Sequence, residues 1–143
     1  MKGKKYFQLK GQDLVEFALI LLIMMSLLVV IVDLGRAMFF YSTLTNVSRE
    51  GARYGVVNLC DDSGIETAAK GKALGINPND INFDIKWNNL PKSQFDCIPK
   101  EFGSNVLTVA AGSVFTPTTR DLLPEPSYTF TITTTMYVES FMP

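Results

Sequence analysis

The sequence predicts an α+β chain, in which one long N-terminal helix, half of it able to cross a bilayer, carries a small antiparallel sheet head. Three observations predict it. Residues 17–32 are apolar except for Ser26. Nothing from Gln12 to about Val56 clearly breaks a helix, Gly35 being a tolerable cost. Beyond residue 80 the chain alternates apolar and polar residues at the period of strands.

The first eleven residues form a basic leader. Lys2, Lys4, Lys5 and Lys10 stand against one acid, Asp13, before the apolar run. The positive-inside rule then places the N-terminus in the cytoplasm and the C-terminal part across the membrane. The run from Leu14 to Val32 reaches roughly 28 Å at about 1.5 Å per residue, close to the hydrocarbon thickness of a bilayer. It is too long for the usual core of a secretory signal and no A-x-A-like site follows, so the segment is expected to stay in the protein. The helix then continues outward to about residue 57, a total on the order of 68 Å for residues 12–56 at 1.5 Å each.

Two features of this helix ask for an explanation. Glu16 lies just inside the apolar run, where a carboxylate costs up to about 3 kcal/mol on insertion scales. Either it stays hydrated at the cytoplasmic interface or it has a partner, and the helix N-terminus favours an anion there. Further out, Gly51, Ala52 and Gly55 make a small-residue patch. In lipid such a patch suggests helix dimerisation, but outside it more simply lets the head's own elements approach. Asp33 with Arg36, and Glu50 with Arg53, are spaced to meet on one face, as exposed pairs worth a few tenths of a kcal/mol. Phe39, Phe40 and Tyr41 suit an interfacial belt or a subunit contact.

The head is expected from about residue 58. Ser63 and Glu66 read as a capping box opening a short helix through Leu74, stopped by Gly75, with Ile65, Ala68, Ala69 and Ala73 as its apolar stripe. Asn77-Pro78-Asn79-Asp80 is a turn. A strand follows over residues 81–87, a second over 106–115 with Gly112 as a possible bulge position, and the clearest over 128–138, whose outer face is rich in threonine. Cys60 and Cys97 both fall on the expected outer side. An oxidising compartment favours a disulfide between them over two buried thiols, worth roughly 3–4 kcal/mol on the chain-entropy model.

The segment Gly11-Gln12-Asp13-Leu14-Val15-Glu16-Phe17 resembles a type IV prepilin processing site. With Asp33-Leu34-Gly35-Arg36 and Ser48-Arg49-Glu50-Gly51-Ala52-Arg53-Tyr54-Gly55 it resembles the TadE family, the pseudopilins or minor pilins of the tight-adherence (Flp) pilus. The motif positions are Gly11, Gln12, Glu16 and Phe17, then Asp33, Gly35, Arg36, Arg49, Glu50, Gly51 and Arg53. Many members carry a proline soon after the Glu-Phe pair. This chain has Ile20-Leu21-Leu22-Ile23 there, so the helix is expected to run without a proline kink.

The resemblance implies cleavage after Gly11 by a prepilin peptidase and residence in the inner (cytoplasmic) membrane with the head outside. It also implies partnership with other pilin-like subunits, as a homo- or hetero-oligomer, and with a pilus assembly platform. Glu16 would pair with the freed amine of Gln12 in a neighbouring subunit, two charges that are each costly in lipid becoming tolerable together.

Other classes have less support. The chain has no histidine, which removes Ser-His and Cys-His dyads and most zinc sites, and its net charge of -1 indicates no nucleic-acid partner. No phosphate-binding glycine loop occurs, and the acids at Asp61–Asp62 and Asn79–Asp80 match no calcium-loop spacing. The expectation is no enzyme, no cofactor and no metal. The alternatives are a major fibre subunit, for which the head is large, or a single-pass anchored binding module, which has no reason to place a carboxylate at Glu16.

Overall fold

In the computed structural model, residues 10–88, 90–91, 105–121 and 126–138 are described. Helix α1 (Lys10–Val57) is a single run of 48 residues, about 72 Å long at 1.5 Å per residue. Its inner half is laid open: every residue from Gly11 to Val32 is exposed. It is the one helix among the described residues long and apolar enough to cross a bilayer.

The outer half of α1 carries the head. Helix α2 (Asp62–Lys70) precedes a turn of 3-10 helix (Pro78–Asp80) and a sheet of four strands: β1 (Asn82–Trp87), β2 (Leu90–Pro91), β3 (Asn105–Phe115) and β4 (Tyr128–Val138). Their order is β2-β1-β3-β4, every pairing antiparallel, so β4 forms one edge. Phe40 meets Phe115, Ser48 meets Val109, and Gly55 lies under Leu107. Strand β3 therefore runs antiparallel to α1 along its outer half, with its C-terminal end nearest the apolar span.

The alternation predicted for β4 holds. Phe130, Ile132, Thr134 and Met136 are half-buried and Val138 is buried, while Thr129, Thr131, Thr133, Thr135 and Tyr137 face out. Two apolar clusters join sheet and helices. Leu44, Val47, Ala69, Ile76, Ile81 and Ala111 form the one nearer the span. Ala52, Ile65, Trp87, Leu107, Val109 and Val138 form the outer one. Burying each large side chain is worth about 1.5–3 kcal/mol, and the aliphatic burial is concentrated where α1, α2 and the sheet meet.

Three local expectations are corrected. Helix α2 is capped by Asp61, whose carboxylate accepts from the Gly64 N–H at 2.9 Å. Ser63 instead donates its hydroxyl to Asp61 at 2.8 Å. The helix ends at Lys70 with Gly71 as its C-cap, four residues before Gly75. Gly75, at φ +73°, serves the following turn, where a side chain would press on the ring of Phe39. Gly112 marks no bulge: it pairs in unbroken register with Asn82 on one side and Thr131 on the other.

Candidate assembly site

The first turns of α1 hold the predicted processing residues on an unobstructed surface. Gly11, Gln12, Glu16 and Phe17 are all exposed, and a Cβ added at Gly11 would meet nothing within 4 Å. Gln12 and Glu16 are one helical turn apart on the same face. Glu16 has no hydrogen-bond or ion-pair partner among the described residues, so any partner for its charge must come from outside them.

Where the helix leaves the apolar run, Asp33 and Arg36 do more than form the exposed pair expected. Asp33 is 9% exposed. Its Oδ1 accepts from Arg36 Nη1 at 3.2 Å and from the backbone N–H of Thr118 at 3.1 Å. Arg36 Nη1 also donates to the Thr118 hydroxyl, and the guanidinium lies 5.7 Å from the centre of the Phe115 ring. The 3-10 turn Thr118–Asp121 is thereby tied to α1 at the base of the head. Sequence reasoning saw the Asp33–Arg36 spacing and missed Thr118, because no local signal links residues that far apart in the chain.

The third motif block divides between two faces. Ser48, Gly51, Ala52 and Gly55 point inward. Ser48 is fully buried, its hydroxyl 2.8 Å from the Val109 carbonyl oxygen and 2.8 Å from the Thr134 hydroxyl. A carbonyl can only accept, so Ser48 gives its single proton to Val109, and the Thr134 hydroxyl supplies the proton of the second bond. At Gly51 an added Cβ would come within 3.2 Å of Ala69, and at Gly55 within 2.4 Å of Leu107 and 2.8 Å of Ile65. The small-residue patch therefore packs against the chain's own α2 and β3, as the sequence favoured.

Arg49, Glu50 and Arg53 instead line the back of α1. Glu50 and Arg53 form no ion pair among the described residues, contrary to their spacing. With Lys72 and Met136 they border an open groove of about 520 Å³. Of the aromatic set, Phe40 turns inward onto Phe115 and Phe130, at 5.5 and 5.9 Å between ring centres, while Phe39 and Tyr41 are exposed.

At the far end of α1, Tyr54 donates its hydroxyl to Asp61 at 3.0 Å. The Gly64 N–H foremost, then the Ser63 and Tyr54 hydroxyls, hold the Asp61 carboxyl below the usual carboxylate range. The same bond, received by an anion, pushes the Tyr54 phenol up. Cys60, beside this cap, is disulfide-bonded and has φ of 70°. Cys97, its expected partner, lies outside the described residues, as do the leader lysines Lys2, Lys4 and Lys5.

Fold and site together define a pilin-like chain, a membrane-anchoring N-terminal helix that carries a small α+β head on its outer half. Along that helix, residues 11–53 match the model of the TadE-like protein family and are similar to it. The matched stretch holds all three motif blocks up to Arg53. No curated protein and no solved structure matches the chain.

Proposed function

We propose that this chain is a TadE-type pseudopilin, stored in the cytoplasmic membrane by α1 and drawn from there into assembly of a tight-adherence pilus. The observation that carries the reading is Glu16, an exposed carboxylate with no partner among the described residues, inside an apolar helix whose inner half, Gly11 to Val32, is exposed throughout. A prepilin peptidase cuts after Gly11, leaving 12–57 as the mature helix and 58–143 as the extracytoplasmic head. The freed amine of Gln12 in one subunit neutralises Glu16 in the next and sets their register. In this role the back of α1, with Arg49, Glu50 and Arg53, is turned toward neighbouring subunits or the assembly platform. Cys60 pairs with Cys97, and a peptide map of unreduced protein would contain that linked pair.

The test is Glu16→Ala in the native host. Membrane insertion is expected to be unchanged and incorporation into pili to fall well below the wild-type level. Normal incorporation would remove the pairing role. Sheared fibres from the same strains also address the alternative of a major subunit, since a minor component contributes only a trace of their mass.

A further inference from the structure

We propose that the cleft between α1 and the base of the head is a phospholipid site, taking the phosphodiester and upper acyl chain of an outer-leaflet lipid. The inference rests on the reading of α1 as a membrane helix. The cleft has a volume of about 470 Å³ and is lined by Val32, Gly35, Arg36, Phe39, Val114 and Phe115 among others. That is within the range of small-molecule sites, roughly 300–1,000 Å³.

Its position specifies the occupant. Leu28, Val32, Gly35 and Phe39 follow one another at helical spacing of four, three and four residues, so they form a single stripe on α1. Leu28 and Val32 are exposed within the apolar span, and the cleft begins at Val32. A lipid chain lying along the lower half of the stripe leads directly into it. One turn above the span stands Arg36, at the depth where lipid phosphates lie. A guanidinium carries five N–H donors. Both of its hydrogen-bonding contacts use Nη1, and Nε and Nη2 have no partner among the described residues. Those two nitrogens form the fork that suits a phosphate.

Gly35 supplies an independent argument. Glycine inside a helix costs up to about 1 kcal/mol against alanine, and a Cβ at Gly35 would meet nothing within 4 Å. No contact among the described residues requires a glycine there, unlike at Gly55. A ligand lying against the bare backbone would.

The test uses full-length protein in detergent micelles, titrated with phosphatidylglycerol and followed by native mass spectrometry. A one-to-one lipid adduct is expected. Gly35→Leu, whose side chain starts in open space and extends into the cleft, should weaken it at least tenfold, and Arg36→Lys should weaken it less than Arg36→Gln. Retained Trp87 emission shows that each variant is folded. If Gly35→Leu binds lipid as the wild type does, the site is wrong. If that variant leaves the adduct intact and instead abolishes a dimeric species, the cleft takes a second copy's helix and the lipid proposal is overturned. Carbonate-washed membranes separate this from the underlying reading: wild-type protein that washes off overturns the membrane helix itself, whereas protein that stays while forming no adduct overturns only the lipid site.

Discussion

Replacing Gly55 with alanine tests how the head is seated on α1. The added methyl would lie 2.4 Å from Leu107 Cδ2 and 2.8 Å from Ile65 Cδ1. Side-chain ends can often swing away, but both residues are fully buried in the outer cluster, where any shift presses on their packed neighbours. Overpacking of this kind costs about 1–3 kcal/mol, against a gain of up to about 1 kcal/mol from removing glycine in a helix. A net loss of about 1–2 kcal/mol is expected. Gly51→Ala, one turn earlier, collects the same helix gain but meets its nearest neighbour at 3.2 Å, so it should be close to neutral. Trp87, the sole tryptophan, is buried in the same cluster as Leu107 and reports the transition by its emission. With a urea slope of about 1–3 kcal/mol/M, the Gly55→Ala midpoint should fall by roughly 0.5–1 M. Leu107→Ala in the same chain should relieve the clash, the double variant losing less than the sum of the singles. Equal midpoints for Gly51→Ala and Gly55→Ala would refute the close-packed interface.

Two further outcomes follow from the head's polar contacts. Ser48→Val removes the buried donor to the Val109 carbonyl and strands the Thr134 hydroxyl, so it should cost about 1–3 kcal/mol in the same urea assay; a neutral result would mean water replaces the hydroxyl. Asp61 has a lowered carboxyl pKa in the fold, so its contribution is fully present above the unfolded-state value, about 3.9, and is lost as pH falls through the lower folded value. Asp61→Asn should therefore flatten the loss of stability below about pH 4 while keeping the cap, and an unchanged acid limb would show that Asp61 does not titrate in this way.

Much of the architecture was legible because it rests on long periodic signals. Unbroken helix from Gln12 to Val56 and alternation over eleven residues of β4 each leave little choice of structure. What escaped was decided by contacts distant in sequence. Ser63 with Glu66 is a sound local capping signal, yet Asp61 takes the cap because the Tyr54 hydroxyl on α1 holds its other oxygen. Asp33 and Arg36 look like a surface pair until Thr118 closes over them. Gly112 resembles a bulge signal, whereas its place is in a regular ladder where a side chain would come within 3.2 Å of the Thr131 hydroxyl. The processing and pairing motifs are short and local, so their residues could be named from the sequence alone. The candidate site's division into an inward Ser48–Gly51–Ala52–Gly55 face and an outward Arg49–Glu50–Arg53 face emerged only with the sheet in place.

The central claim, that this chain is a processed pilin-class subunit, is tested most directly by its intact mass and N-terminal sequence when produced with and without the host's prepilin peptidase. The account predicts Gln12 as the first residue only when the peptidase is present. Persistence of the leader in both preparations would contradict it and leave a single-pass anchored module in its place.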